Sequence, residues 1–507
     1  MSFSHSAPSF DISSYPQVTV RSLDNDERKG RGLFASTAFE PGQLILKERP
    51  ILHTAYPEAR AFTPTSDLEI PYDWQRLLYL YAFYRTHNLQ SGVLDGILTE
   101  LSVDGVCSDL ARDADPDRER EFREWADDWV EWYNAQNASS QWRPTSEEMF
   151  RLIAILETNS HSRDEDDMRD LRDPRTDAAD TTNVAMFSNL PVPGEEEEEE
   201  EIKDEACGLW VIASMLNHSC LPNCTVFIPP TKRSGAEPML YLRCIRPVAA
   251  GDELLVSYHD EEFLPTLDRR AMLMPRGFEC HCALCEGAVR EYMRGAVCPG
   301  PGCDGICCPV KVGGQMGWVC HLCNGVLSDR QVSDLEAKEE QWMSEWEHIL
   351  AMTLGDTPTD QCTHLLAYQV LNHYSQPFPP PSQPLPCPPP SFLSPMHPTH
   401  SHIYTFLKFI LFENSVWLRQ HFGDDGVRGV LRAMLSAVQT ALGSLNDGGN
   451  SVNVSEERRV LGYWVVKEAE RQLGRVASVD DRMRWESIRE EGLVIWQVGM
   501  RYLCSTD

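Results

Sequence analysis

The sequence predicts an α+β fold: a β-rich core with a helical insert, a zinc-binding segment, and an α-helical C-terminal domain. Three observations carry this reading. Short β-branched runs near the N-terminus give way to a helical stretch and return at residues 208–262. Nine of the seventeen cysteines fall between Cys280 and Cys323. Beyond Ser328, apolar residues recur at helical spacing, from Ile403 to Leu445 and from Arg458 to Leu503.

At 507 residues the chain is long enough for two or three domains with a real core. Residues 1–16 read as a loose tail. The first domain, 17–285, opens on strands: Val18-Thr19-Val20 and Gln43-Leu44-Ile45-Leu46-Lys47-Glu48 are flanked by turn-forming Gly and Pro. A helical insert spans about 51–160, where Trp74, Leu77, Leu78 and Tyr81, and then Trp125, Trp129 and Trp132, fall at helix spacing. These aromatic stripes are read as packed core faces. An acidic insert follows at about 161–205, with an unbroken run from Glu195 to Glu201, too polar to offset its ordering entropy and therefore expected to be disordered. Residues 286–327 read as a zinc-ribbon-like segment, and 328–507 as helical. A Pro-rich loop interrupts the latter at 376–398, holding eleven of the 34 prolines.

Composition narrows the function. The formal net charge of −32 argues against general nucleic-acid binding, which needs Lys and Arg. It would suit a Lys-rich partner, although much of the excess lies in the acidic tract. No run approaches eighteen apolar residues, so no membrane span is expected. Met1-Ser2-Phe3-Ser4-His5 lacks a basic region before an apolar core, which argues against secretion and for nucleus or cytoplasm.

Clustered thiols in such a chain read as metal ligands rather than disulfides. Cys280-x-Cys282-x2-Cys285 offers three thiolates, and structural zinc wants four. Cys220 is the best fourth candidate and His281 the competitor. Cys298-x4-Cys303 with Cys320-x2-Cys323 matches a four-cysteine ribbon, though Cys307 or Cys308 could replace Cys303. Both would be closed shells, hence structural sites.

Four segments then share one order: Lys29-Gly30-Arg31-Gly32-Leu33, Asn217-His218-Ser219-Cys220-Leu221-Pro222-Asn223, Gly251-Asp252-Glu253-Leu254 running to Ser257-Tyr258, and the Cys280 loop. In this order they resemble the SET-domain protein lysine methyltransferases, most closely the SET and MYND-type branch. Arg269-Arg270, Phe278-Glu279-Cys280 and Met396-His397-Pro398-Thr399-His400 resemble that branch too. The resemblance implies a SET core with a post-SET loop at 278–285 and TPR-like C-terminal helices. It implies that Lys29, Gly30, Arg31 and Gly32 hold the amino-acid end of S-adenosylmethionine. It further implies that Glu157, Asn159, Asn217 and His218 contact the cofactor, that Phe278 packs on adenine, and that Tyr258 is the catalytic tyrosine. The MYND zinc module is missing, since Cys107 is the only cysteine between residues 50 and 150. Arg276 stands where those relatives often carry a tyrosine.

Taken singly, Tyr258 reads as a packing aromatic, His218 as a satisfied histidine and Asn217 as a turn former; their joint occurrence reverses this. Methyl transfer from a sulfonium is an in-line displacement that depends chiefly on alignment. The acceptor lysine must shed its proton, which an apolar aromatic channel favours. The expected partner is a protein with an accessible lysine, histone or non-histone. The competing expectation is a catalytically inactive SET-fold scaffold that binds zinc and protein partners.

Overall fold

A computed structural model of the chain describes residues 14–23, 30–54, 74–89, 91–163, 206–228, 239–259, 264–353, 396, 400–412, 423, 426–432, 434–435, 456–474, 479, 482–490 and 492–493. Lys29, the acidic tract from residue 164 onward and the Pro-rich stretch apart from Met396 lie outside the described residues.

Strand β1 (Val18–Ser22) pairs antiparallel with β2 (Arg31–Ala35), Val18 opposite Ala35 and Ser22 opposite Arg31. Buried Val18, Leu33 and Ala35 turn one face of this ribbon to the core. Tyr15, expected in the tail, instead packs half-buried on that core, and its hydroxyl donates to the Lys47 carbonyl at 3.3 Å. β3 (Leu44–Glu48) and β4 (Leu52–His53) follow.

The insert is helical: α1 (Gln75–Thr86), α2 (Ser91–Glu100), α3 (Asp104–Cys107), α4 (Asp109–Ala114), α5 (Arg118–Gln136) and α6 (Ser146–Asn159). Local chemistry fixes two of the starts. Ser108 accepts the Ala111 N–H at 3.1 Å, and Thr145 accepts the Glu148 N–H at 3.1 Å, each satisfying an orphan donor of a first turn. Trp74, Leu77, Leu78, Tyr81 and Trp129 are buried together, so the aromatic stripes are core faces.

β5 (Ser160–Arg163) and β6 (Ala206–Leu209) correct two sequence boundaries. Leu52–His53, placed in the helical insert, and His161–Arg163, placed in the acidic insert, are strands flanking β6 in one sheet of order β4-β6-β5. The insert thus leaves the core from one strand and re-enters it beside the same sheet. Short polar-edged strands such as Ser-His-Ser-Arg carry no readable alternation, and only pairing reveals them.

The core closes with β7 (Asn217–His218), β8 (Cys224–Phe227), β9 (Leu240–Cys244) and β10 (Leu255–Val256). β9 lies between β3 and β8, so residues from both sides of the insert share that sheet. α7 (Thr266–Leu273) leads to the cysteine loop, then to β11 (Ala296–Val297), β12 (Ile306–Val312) and β13 (Gln315–Cys320). α8 (Asp329–Thr353), α9 (Ser401–Phe412) and α10 (Glu456–Leu473) make the C-terminal region helical.

The ribbon does not stand apart from those helices. Tyr292, Ile306 and Cys308 share one core with Trp342, Tyr404, Leu431 and Trp485. A buried network crosses the junction. Glu339 takes Arg294 at 2.6 Å and His400 at 2.8 Å, and against the cost of burial these two hold its carboxyl down to about 2. Among the described residues no helix is long and apolar enough to cross a membrane.

Candidate active site

The site is organised where β7 and β10 run parallel, Asn217 opposite Leu255 and His218 opposite Val256. Two residues of strand on each side are too few to hold alone. Side chains complete the pairing: Asn223 donates to the Glu253 carbonyl at 2.8 Å and accepts the Leu255 N–H at 2.8 Å. The Ser219 N–H reaches the Val256 carbonyl at 2.9 Å.

The Asn217 amide donates to the Arg31 carbonyl and to a Glu253 oxygen, 2.8 Å each, which ties β2 to the crossing. Gly32 is required here by proximity. A Cβ at that position would lie 2.7 Å from Glu253 Oε1 and 3.0 Å from Asn217 Nδ2.

Beside the crossing is a ring cluster. The Tyr258 ring lies 5.3 Å from His218 and 5.9 Å, at 89°, from Phe278. The Tyr258 hydroxyl donates to the Leu216 carbonyl at 2.5 Å, while its N–H donates to His218 Nδ1 at 3.0 Å. With Nδ1 accepting, the neutral His218 carries its proton on Nε2, 3.2 Å from Cys220 Sγ. Burial pushes the Tyr258 hydroxyl up to about 12, with the Arg276 cation opposing and Glu253 assisting, so it remains a donor at neutral pH. The Arg276 guanidinium lies over the Tyr258 ring, 5.5 Å from its centroid. Burial, reinforced by that same cation, brings His161 down to about 4 and keeps it neutral.

Asn217, His218, Tyr258, Phe278 and Gly32 are thus brought together. The other predicted contacts are engaged elsewhere. Arg31 turns its side chain to Glu100 at 3.0 Å and contributes only backbone. Glu157 is taken by Trp74 Nε1 at 2.6 Å and by Arg118, and Asn159 donates to the Ser102 and Ile155 carbonyls at 2.8 Å each. Gly30 adopts φ 61° at the exposed turn.

Four thiols, Cys220, Cys280, Cys282 and Cys285, form one group that could hold a metal ion, and Cys298, Cys303, Cys320 and Cys323 form another. A tetrahedron with Zn–S of about 2.3 Å has edges of about 3.8 Å. The measured separations match: 3.8 and 3.6 Å from Cys220 to Cys280 and Cys285, 3.6 Å from Cys298 to Cys323, and 3.7 Å from Cys303 to Cys320. The donor set therefore fits zinc at both places. His281 points instead to Glu286 at 2.6 Å, and Cys307 and Cys308 are buried in the shared core. Arg269, 1% exposed, directs its guanidinium at Cys285 Sγ from 3.8 Å, a counter-charge for a thiolate cluster. Arg270 donates to the Cys280 carbonyl at 3.1 Å, so the Arg-Arg pair braces the loop.

Sequence reasoning quoted Glu253 and Asn223 within their motifs but gave them no role. Arg118 and Glu48 carried no signal, since each acts through a partner far away in the chain.

Residues 30–259 match the SET domain family model, and this segment is a SET domain. Its relatives lie in the SET and MYND branch and near it. The histone-lysine N-methyltransferase SMYD3 of Mus musculus is 37% identical over 17% of this chain and 18% of that one. The histone-lysine N-methyltransferase ATXR2 of Arabidopsis thaliana is 36% identical over 16% of each chain, and a SET and MYND domain-containing protein of Dictyostelium discoideum is 31% identical over 16% of this chain and 22% of that one. The matches thus span less than a quarter of each relative's length.

Proposed function

We propose that this chain is an S-adenosylmethionine-dependent protein-lysine N-methyltransferase acting on histone or non-histone lysines. The observation that carries the reading is the Tyr258 hydroxyl held at the Leu216–Asn217 peptide by a 2.5 Å hydrogen bond, with His218 and Phe278 around its ring. The residues fit the cofactor. Phe278 offers a half-buried ring for a purine, and a Cβ at Gly30 would meet nothing within 4 Å, so the backbone of that turn is open to a ligand. When bound, the cofactor supplies a methyl group on a sulfonium. Lys29, Gly30, Arg31, Gly32, Asn217, His218 and Phe278 would hold it, Arg31 by backbone alone.

The rest falls to the chain's own groups. A ring-lined, buried site disfavours an ammonium, so an entering lysine sheds its proton more readily. The Leu216 carbonyl and Tyr258 hydroxyl can orient the amine, whose lone pair must face the methyl group. Tyr258 itself stays protonated and neither gives nor takes the proton. Glu157 and Asn159 support the insert rather than the cofactor. Both zinc ions would be structural, the first fastening the loop that carries Phe278.

The test is calorimetric titration of the full chain with S-adenosylmethionine, followed by labelling of a cell lysate with tritiated cofactor. Micromolar binding with labelled lysines is the expected result. No binding at millimolar cofactor would leave the inactive, zinc-bearing scaffold as the better reading.

A further inference from the structure

We propose that Arg276 selects the substrate, its guanidinium receiving an Asp or Glu carboxylate that neighbours the target lysine. The inference rests on the methyl-transfer reading and adds a substrate class to it. Arg276 is exposed, and its guanidinium faces the Tyr258 ring. Among the described residues no carboxylate pairs with it. Arg118, which binds the Pro275 carbonyl, is engaged by Glu157, while Arg269 and Arg270 of α7 are engaged by Glu291 and by Glu279 and Glu286. In a chain of net charge −32, a guanidinium that faces the ring cluster without a carboxylate among the described residues suits an acidic group brought by a substrate.

The backbone on either side of Arg276 is fixed by the helical insert. The Pro275 carbonyl accepts from Arg118 at 3.0 Å, and Arg118 is in turn held by Glu157. On the other side Gly277 adopts φ 82°, and any Cβ there would collide with the Asp104 carbonyl oxygen. Only glycine lets this turn close against α3. The side chain is then directed by its cation–π contact with Tyr258. A guanidinium held this way loses little freedom when it takes a carboxylate.

Reach agrees with this assignment. A lysine amine at Tyr258 leaves its own backbone a side-chain length further out, and a flanking side chain can then reach Arg276, 5.5 Å from the Tyr258 ring centroid. A basic flank would meet repulsion there and an acidic one attraction. The same cation disfavours the ammonium form of the entering lysine, so it does not oppose the chemistry.

The test uses the full chain and a peptide pool with one fixed lysine and two degenerate positions on each side, tritiated S-adenosylmethionine being the methyl donor. Sequencing the labelled peptides should show Asp and Glu enriched about fivefold over Asn and Gln at a flanking position. Arg276→Gln should lose the enrichment, and Arg276→Glu should turn it toward Lys and Arg, with cofactor affinity by calorimetry unchanged in both. Labelling without acidic enrichment, or enrichment that survives Arg276→Gln, overturns the inference alone. A pool left unlabelled by the wild type takes down the methyl-transfer reading and this inference together.

Discussion

The hydroxyl of Tyr258 and the carbonyl of Leu216, 42 residues apart in the chain, are joined by a 2.5 Å hydrogen bond. The bond anchors the ring against the peptide that leads into Asn217, and the parallel pairing of β7 with β10 makes the approach possible. Removing the hydroxyl frees that carbonyl and the ring edge. Tyr258→Phe should lower kcat by about a hundredfold, the scale of losing one aligned donor. Cofactor affinity should stay within about twofold, because the ring remains. Steady-state methylation beside calorimetry checks both halves.

Gly32 is fixed by what surrounds it. Alanine would bring a methyl group to 2.7 Å from Glu253 Oε1 and so push Glu253 off Asn217. Overpacking of this kind costs about 1–3 kcal/mol. Gly32→Ala should weaken S-adenosylmethionine binding at least tenfold while leaving both zinc ions bound. Wild-type affinity in that variant would detach this turn from the cofactor.

Metal content separates the thiols. Plasma mass spectrometry should find two zinc ions per wild-type chain and one in Cys220→Ser. Cys307→Ser should keep both, since that thiol belongs to the core beside the ribbon cluster and lies outside it. Stripping both ions with a strong chelator should unfold the cysteine loops, because binding energy there is folding energy.

Glu48 is 5% exposed and takes the N–H groups of Ile212 and Ala213 at 2.8 and 2.9 Å. Burial pushes its pKa from 4.5 up to about 7, against those hydrogen bonds. A raised folded-state value means the fold favours the protonated side chain. Its contribution is complete below about pH 4.5, declines as pH rises, and is lost above about 7. A shift of this size is worth about 3 kcal/mol. The urea midpoint of the wild type should therefore fall between pH 5 and pH 8. Glu48→Gln, which cannot ionise, should show a flatter profile over the same range.

Much of the site was legible. Asn217, His218, Tyr258 and Phe278 come from segments whose order along the chain already marked them. The cysteines were legible because zinc asks for four sulfurs at fixed spacing, and Cys280, Cys282 and Cys285 left one place open that Cys220 fills. Glu157 and Asn159 turn their side chains into the insert, and a short helical match cannot say which way a carboxylate turns. Arg118 lies 39 residues from Glu157 yet pairs with it.

By itself the sequence determined the sequence of elements, the thiol sets and the aromatic core of the insert, because periodicity and ligand spacing are local properties. Tertiary structure alone decided three things: that β4 and β5 flank one strand, that the ribbon shares its core with the C-terminal helices, and that Arg276 lies on Tyr258. Each of these is a meeting of segments distant in the chain. Such meetings are settled by which surfaces can be buried together and which charges remain to be paired, and no local window of residues contains that information.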